Sequence, residues 1–183
     1  MAVDTSPRVR LAVEPETDAI ATLIRRALDE YSAADPAVHE GYLAYSLDPL
    51  HADGDQLVAE LQGQIVGSVL FHARATAQPS WPRTAATFQT LVVDPTMRGR
   101  GIGGLLIEAC IDRARASGAT SIVIETLPWL TAADRIYGRF GFERWSEGDW
   151  DGTSVLRRLL GGRDAPTTML SAWRLDFTPA PSR

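Results

Sequence analysis

Hydrophobic and polar positions along the chain change period several times, and each change marks an element. Residues Arg8 to Val13 alternate in the manner of a strand. Ile20, Leu23, Ile24, Ala27, Leu28 and Tyr31 then recur at three- and four-residue intervals, which predicts an amphipathic helix capped at Thr17 or Asp18. A weaker stripe predicts a second helix from Ala37 to Leu47. Leu57–Leu61 and Gln64–Phe71, divided by Gln62-Gly63, predict an antiparallel hairpin. A loop carrying Pro79, Trp81 and Pro82 leads into Thr87–Val93, whose β-branched and apolar run predicts a buried central strand.

Past that strand, Ile102, Leu105, Leu106, Ala109, Cys110 and Ala114 occupy one helical face while Glu108, Asp112 and Arg115 occupy the other, and Gly118 stops the helix. Ser121–Glu125 follows as a strand and completes a strand-loop-helix-strand unit. Ala133, Ile136, Tyr137 and Phe140 share a face of a further helix, which Thr131-Ala132-Ala133-Asp134 is expected to open as a capping box. The stretch from Trp145 to Thr168 is longer than a hairpin loop. It is expected to hold a short helix over Val155–Leu160, packed on the rim or on a second subunit, and to lead into a closing strand from Ser171 to Phe177.

Composition narrows the class. With 183 residues, 45% of them hydrophobic, the chain supports one domain spanning 1–183 with a full core and loose tails at about 1–7 and 178–183. A net charge of −5 and the lack of a basic stripe argue against nucleic acid as a partner. No apolar run is long enough to span a membrane and the first seven residues lack a signal-peptide core, so a cytoplasmic location is expected. The single Cys110, on an apolar helix face, reads as a buried small hydrophobe rather than a nucleophile. His39, His51 and His72 have no metal-ligand spacing with one another or with Cys110, and no metal site is expected.

The chemistry concentrates between Val93 and Gly104. Strand, glycine-rich loop and helix start follow one another there, so backbone N–H groups and the positive end of a helix dipole converge where an anion can approach. Arginine outnumbers acid by two between Arg98 and Arg115, reversing the charge of the whole chain. Gly99, Gly101 and Gly104 also spell the G-x-G-x-x-G of a dinucleotide fold, with Glu125 near the place of a ribose-binding acid. Against that reading, Asp94 to Arg98 intervene between strand and first glycine, and no further strand-helix-strand units follow Glu125.

At these residues the chain resembles the GCN5-related N-acetyltransferase (GNAT) superfamily, whose acetyl-CoA signature, Q or R, two residues, G, one residue, then G or A, is met by Arg98-Gly99-Arg100-Gly101-Ile102-Gly103. Leu91-Val92-Val93-Asp94-Pro95 resembles the family's splayed strand and turn. Tyr137-Gly138-Arg139-Phe140-Gly141-Phe142 resembles its tyrosine-bearing helix and the strand start after it. The likeness runs from about Thr87 to Glu143.

The resemblance implies an α/β fold with a mixed, splayed central sheet flanked by helices, and direct acetyl transfer from acetyl-CoA. Arg98, Gly99, Arg100, Gly101, Ile102, Gly103 and Gly104 would form the phosphate cradle. Backbone groups of Leu91, Val92 and Val93, on a strand that splays after Leu91, would pair with the pantetheine arm, one N–H polarising the thioester carbonyl. Tyr137 would be the acid, unless its hydroxyl is simply satisfied by a carbonyl. Glu125, at a strand end, would be the base, unless it is plainly solvated or salt-bridged; Gln89 and Thr87, where other branches carry a glutamate, cannot act as one.

Tyr31, Tyr42, Tyr45 and His51 fall in the variable segment that shapes the acceptor pocket, with simple packing as the alternative for Tyr42 and Tyr45. Leu130 stands where members often have an asparagine. Trp145, Glu147, Asp149, Trp150 and Asp151 would either hold a cation or form an acidic turn anchored by tryptophans. The implied function is N-acetylation of a primary amine on a small molecule, with a peptide or protein amine, or a non-catalytic acyl-CoA sensor, as alternatives. Family members often form homodimers.

Overall fold

The computed structural model describes residues 6–32, 36–48, 54–75, 78, 80–127 and 130–177. Eight strands form one sheet in the order β1-β2-β3-β4-β5-β8-β6, with β7 also paired to β8. They are β1 (Arg8–Leu11), β2 (Asp55–Leu61), β3 (Gln64–His72), β4 (Ala85–Val93), β5 (Ser121–Thr126), β6 (Glu143–Arg144), β7 (Trp150–Asp151) and β8 (Met169–Asp176). The helices are α1 (Thr17–Leu28), α2 (Pro36–Ser46), α3 (Ile102–Ala116), α4 (Thr131–Arg139) and α5 (Thr153–Leu159). All pairings are antiparallel except β4 with β5.

Side-chain alternation distributes the core over both faces of the sheet. On β2, Leu57 and Ala59 pack with α3, whereas Val58 between them packs under α1 with Leu23, Ile24 and Leu28. The β2–β3 hairpin turns at Gln62 and Gly63, both at positive φ (52° and 76°), a twist that suits a two-residue turn. Helix α3 buries Ile107 and Ile111 besides the face read from its sequence, because it lies across β2, β3 and β4, while Leu105 and Ala109 are only half-buried.

The central strand departs from regular geometry in a way that shapes the cleft. Its pairing with β5 is confined to Ala85–Ser121 and Ala86–Ile122. The two strands therefore diverge after Ala86, not after Leu91. Against β3 the register slips between Ser68–Val92 and Leu70–Gln89, leaving one extra residue on β4. Thr90 is that region's left-handed residue, at φ 53°, an unfavourable conformation for a β-branched side chain. The bulge inverts the alternation: Ala86 and Phe88 face α3 and α4, but past it Leu91 and Val93 do so and Val92 turns to α1.

Two local expectations need correction. Neither Thr17 nor Asp18 caps α1; a single 3₁₀ turn, Glu14–Glu16, precedes it, and the Glu16 carboxylate accepts from the Val13 N–H at 2.9 Å instead. The capping box on α4 does not form. Leu130 occupies the cap position, Thr131 is already helical, and Asp134 accepts from the Thr126 hydroxyl at 3.2 Å. The short helix near the C-terminus, α5 (Thr153–Leu159), packs on α2, with Leu156 and Leu160 against Val38 and Leu127. His51 and the segment 178–183 lie outside the described residues.

Ion pairs tie the periphery together. Arg10 joins Glu16 and Glu60, Arg26 joins Asp94, Arg113 joins Asp55, and Arg163 joins Glu40. Every cation in them is arginine, as are all 18 basic residues of the chain; there is no lysine.

Candidate active site

The divergence of β4 and β5 opens a cleft of about 710 Å³ whose floor is β4 from Phe88 to Val93. Beyond Ala86 no strand pairs with β4 on the β5 side among the described residues. One end of the cleft meets the start of α3. The carboxylate of Asp94 accepts from the Thr96 backbone N–H and hydroxyl at 2.9 and 2.7 Å, closing a turn around Pro95, and Gly99 and Gly101 follow at φ 75° and 80°. A left-handed backbone at these positions favours glycine, and an added Cβ would meet open space at both. The first helical hydrogen bond runs from Leu105 N–H to the Gly101 carbonyl at 3.1 Å, so the N–H groups of Gly101, Ile102, Gly103 and Gly104 have no partner within the helix.

Gly103 and Gly104 serve a different purpose. A Cβ on Gly103 would lie 3.2 Å from Ile136 Cδ1 and one on Gly104 3.1 Å from Phe140 Cζ, so these glycines let α4 approach α3. Arg98 lines the cleft but is committed: its Nη1 donates to both Glu30 oxygens at 2.5 and 2.6 Å, and its Nη2 to the Ala27 carbonyl at 3.3 Å. The partnership holds the Glu30 carboxyl below its ordinary range. Arg100 is exposed and is not part of the cleft wall.

Tyr137 enters the cleft from α4. Its ring is buried edge-on to Phe88 (5.9 Å between centroids) and tilted against Phe142 (5.7 Å), which fixes its direction. Among the described residues its hydroxyl has no hydrogen-bond partner, so no carbonyl satisfies it. Burial drives its pKa well above the ordinary phenol value.

Glu125, near the end of β5, lines the same cleft. Desolvation pushes its carboxyl up to about 7, against the opposing effect of a 2.7 Å hydrogen bond from Trp150 Nε1 to Oε2. Tyr42 and Tyr45 stand beside it, stacked at 6.4 Å between centroids, and its charge adds to the burial that raises both phenols, Tyr42 to about 12. Tyr45 donates to Gln89 Oε1 at 2.5 Å. Tyr31 and Leu130 complete this part of the wall.

The cleft thus assembles Leu91, Val92, Val93, Arg98, Gly99, Gly101, Ile102, Gly103, Gly104, Glu125 and Tyr137. It leaves out Arg100. In the acidic cluster after Trp145, Asp149 pairs with Arg144 and accepts from Ala172 N–H, and Asp151 accepts from the Thr153 N–H at the start of α5, which accords with the reading of an acidic turn. Cys110 is fully buried in the core, its thiol pushed well up by desolvation. Trp150 and Gln89 are partners that sequence reasoning did not find. Trp150 sits on a two-residue strand with no periodicity to read, and Gln89 was visible only as a residue unable to act as a base.

The half-open sheet, with a helix start at one end of the gap and a buried carboxyl at the other, has counterparts among known acetyltransferases. The acetyltransferase (GNAT) family profile matches residues 20–142. YjgM of Escherichia coli K12, an uncharacterized N-acetyltransferase, is 31% identical over 146 residues, which are 75% of this chain and 83% of its own length. The aminoalkylphosphonate N-acetyltransferase of Salmonella typhimurium is 29% identical over 140 residues, 74% of this chain and 84% of its own. Among solved structures, yncA of Salmonella typhimurium with its cofactor acetyl-CoA superposes with a TM-score of 0.64 at 19% identity, covering 96% of each chain. A Bacillus subtilis acetyltransferase in complex with CoA superposes equally, TM-score 0.64 at 17% identity, covering 94% of this chain and 100% of its own. The chain belongs to the GNAT family and is an acetyl-CoA-dependent N-acetyltransferase. Among the described residues no helix is long and apolar enough to cross a membrane.

Proposed function

We propose that the acceptor is a primary amine on a small molecule, that Glu125 takes up the proton the ammonium must lose, and that Tyr137 holds the proton released toward the departing thiolate. The observation that carries this reading is the Glu125 carboxyl at about 7 within the cleft. An amine with an unperturbed pKa of about 10.4 is almost wholly protonated near neutrality, and a base poised near the working pH removes that proton best.

The residues present suit acetyl-CoA. Four helix-start N–H groups without helical partners follow a loop of left-handed glycines, and β4 past Ala86, with Leu91, Val92 and Val93 in the cleft wall, has no pairing from β5. Bound acetyl-CoA supplies an activated acetyl group at its thioester. Gly101 to Gly104 bind the pyrophosphate through backbone N–H, and a β4 N–H polarises the carbonyl. Tyr137 Oη, without a protein partner among the described residues, is available to donate. Arg98, already paired with Glu30, orders the loop more than it neutralises phosphate. A small acceptor is supported by the roof that α2 and α5 form over the Glu125 end, and by the small amine in the name of the aminoalkylphosphonate relative.

Thiol release measured across a panel of amines and peptides from pH 6 to 9 tests the proposal. Wild type should show an acid limb near pH 7. In Glu125→Gln the break near pH 7 should vanish, and turnover, depressed most at low pH, should climb across the whole range as alkaline buffer frees more of the amine. An equal loss at every pH overturns the proton-acceptor role, and tight acetyl-CoA binding without turnover of any amine overturns the enzymatic reading in favour of a sensor.

A further inference from the structure

Glu125 borders two cavities. Besides the main cleft it lines a side pocket of about 60 Å³ between α2 and α5, walled by Val38, Leu127, Val155, Leu156 and Leu170. Tyr42 and Tyr45 are common to both spaces, and Gly41 of α2 belongs to the pocket because its lack of a side chain lets Leu156 in; a Cβ there would stand 2.0 Å from Leu156 Cδ1. At roughly 30 Å³ for a water-sized group, the pocket has room for a short alkyl branch.

The charges around these spaces are unevenly placed. Among the described residues, the charged side chains of the main cleft are Arg98, Glu108, Glu125 and Arg139, and the side pocket has Glu125 alone. Arg98 is held by Glu30 at the end of α1. Glu108 lies one turn beyond Gly104 on α3, and Arg139 adjoins Phe140, the ring against Gly104, so both belong to the α3 end. Around Glu125 the wall is aromatic, amide or aliphatic, with the hydroxyls of Thr126 and Thr168, and with Tyr45 engaged by Gln89 and Trp150 engaged by Glu125 itself. Among the described residues no cation stands there to receive an anionic substituent.

We infer that the acceptor is a monoamine bearing a compact aliphatic branch and no anionic group near the nitrogen, its ammonium on Glu125 and its branch in the pocket between α2 and α5. This rests on the reading of Glu125 as the amine-facing carboxylate. A carboxylate or phosphonate beside the amine would sit unpaired next to Glu125, a like-charge contact that the wall does nothing to relieve. The aliphatic branch, in contrast, gains contact with Leu127, Leu156 and Leu170.

The matched pair 3-methylbutylamine and leucine, which share a skeleton and differ by the carboxylate, tests the inference on the wild-type protein. Thiol release should give 3-methylbutylamine a kcat/KM about 100-fold or more above leucine and above 2-aminoethylphosphonate. Val155→Phe, which fills the pocket, should lower the ratio of kcat/KM for 3-methylbutylamine over ethylamine by about 10-fold or more, with folding checked by its melting temperature. Leucine or the phosphonate matching 3-methylbutylamine overturns the inference while leaving the acetyltransfer reading intact.

Equilibrium titration without acetyl-CoA, followed by NMR of the Trp150 indole N–H, separates the two readings. A shift with 3-methylbutylamine and none with leucine supports the subsite even if no amine turns over. A shift with leucine alone, or with neither, overturns it.

Discussion

A carboxyl that titrates near 7 inside a fold costs stability at neutral pH. The folded protein keeps the Glu125 proton that the unfolded chain, with its ordinary value of 4.5, releases, so between these values the native state binds more protons. The contribution is complete below about 4.5 and is lost as pH rises through about 7. Glu125→Gln, neutral at every pH and still able to accept from Trp150, should therefore melt a few degrees above wild type at pH 8 and at the same temperature as wild type at pH 4. Trp150→Phe acts in the opposite sense on the same group. It removes a hydrogen bond that favours the charged form, worth about 1.5–3 kcal/mol, and should move the acid limb of the pH–rate profile up by about one unit or more. Tyr137→Phe should lower turnover by about 10- to 1000-fold with little change in melting temperature, because the hydroxyl it deletes has no protein partner among the described residues. Glu125 and Tyr137 were legible from the sequence, one as the end of a strand and the other as an inward position on a helix. Trp150 was not, since nothing local connects residue 150 to residue 125.

At the scale of elements, glycines that look alike in the sequence separate by geometry. Gly101→Val imposes a β-branched side chain on a φ of 80° where nothing crowds the Cβ, so the fold should survive at a cost of about 1–2 kcal/mol while calorimetry finds acetyl-CoA binding lost. Gly103 is a poorer test than the signature suggests, since a bulky residue there also pushes Ile136 and α4 away. The hairpin and α1 were readable because their periods are clean and their breaks fall at Gln62-Gly63 and around Pro15. The start of β4 was read two residues late because Ala85 and Ala86 carry no β signal. The bulge was hidden altogether: Thr90 is a good strand residue, and only the partner strand reveals that one residue too many has been threaded.

For the molecule as a whole, the order of motifs along the chain carried the fold class, but strand order did not follow from it. Insertion of β8 between β5 and β6 is a long-range pairing that no local pattern encodes. The consequence reaches the cleft. Because β8 carries β7 at its other end, the strand that closes the sheet also brings Trp150 to Glu125.

The ion pairs of the periphery have a bearing on the enzyme's own chemistry. Activated acetyl donors are attacked by amines, and a guanidinium, protonated at any physiological pH, is not a nucleophile. A catalyst that works in the constant presence of such a donor, and that holds β1, α1 and α3 in place with charge, has built those contacts from the one cation its reagent leaves alone. Intact-mass measurement after prolonged incubation with acetyl-CoA should show no acetylation of any basic side chain and an unchanged melting temperature, whereas a lysine-bearing protein in the same tube gains mass.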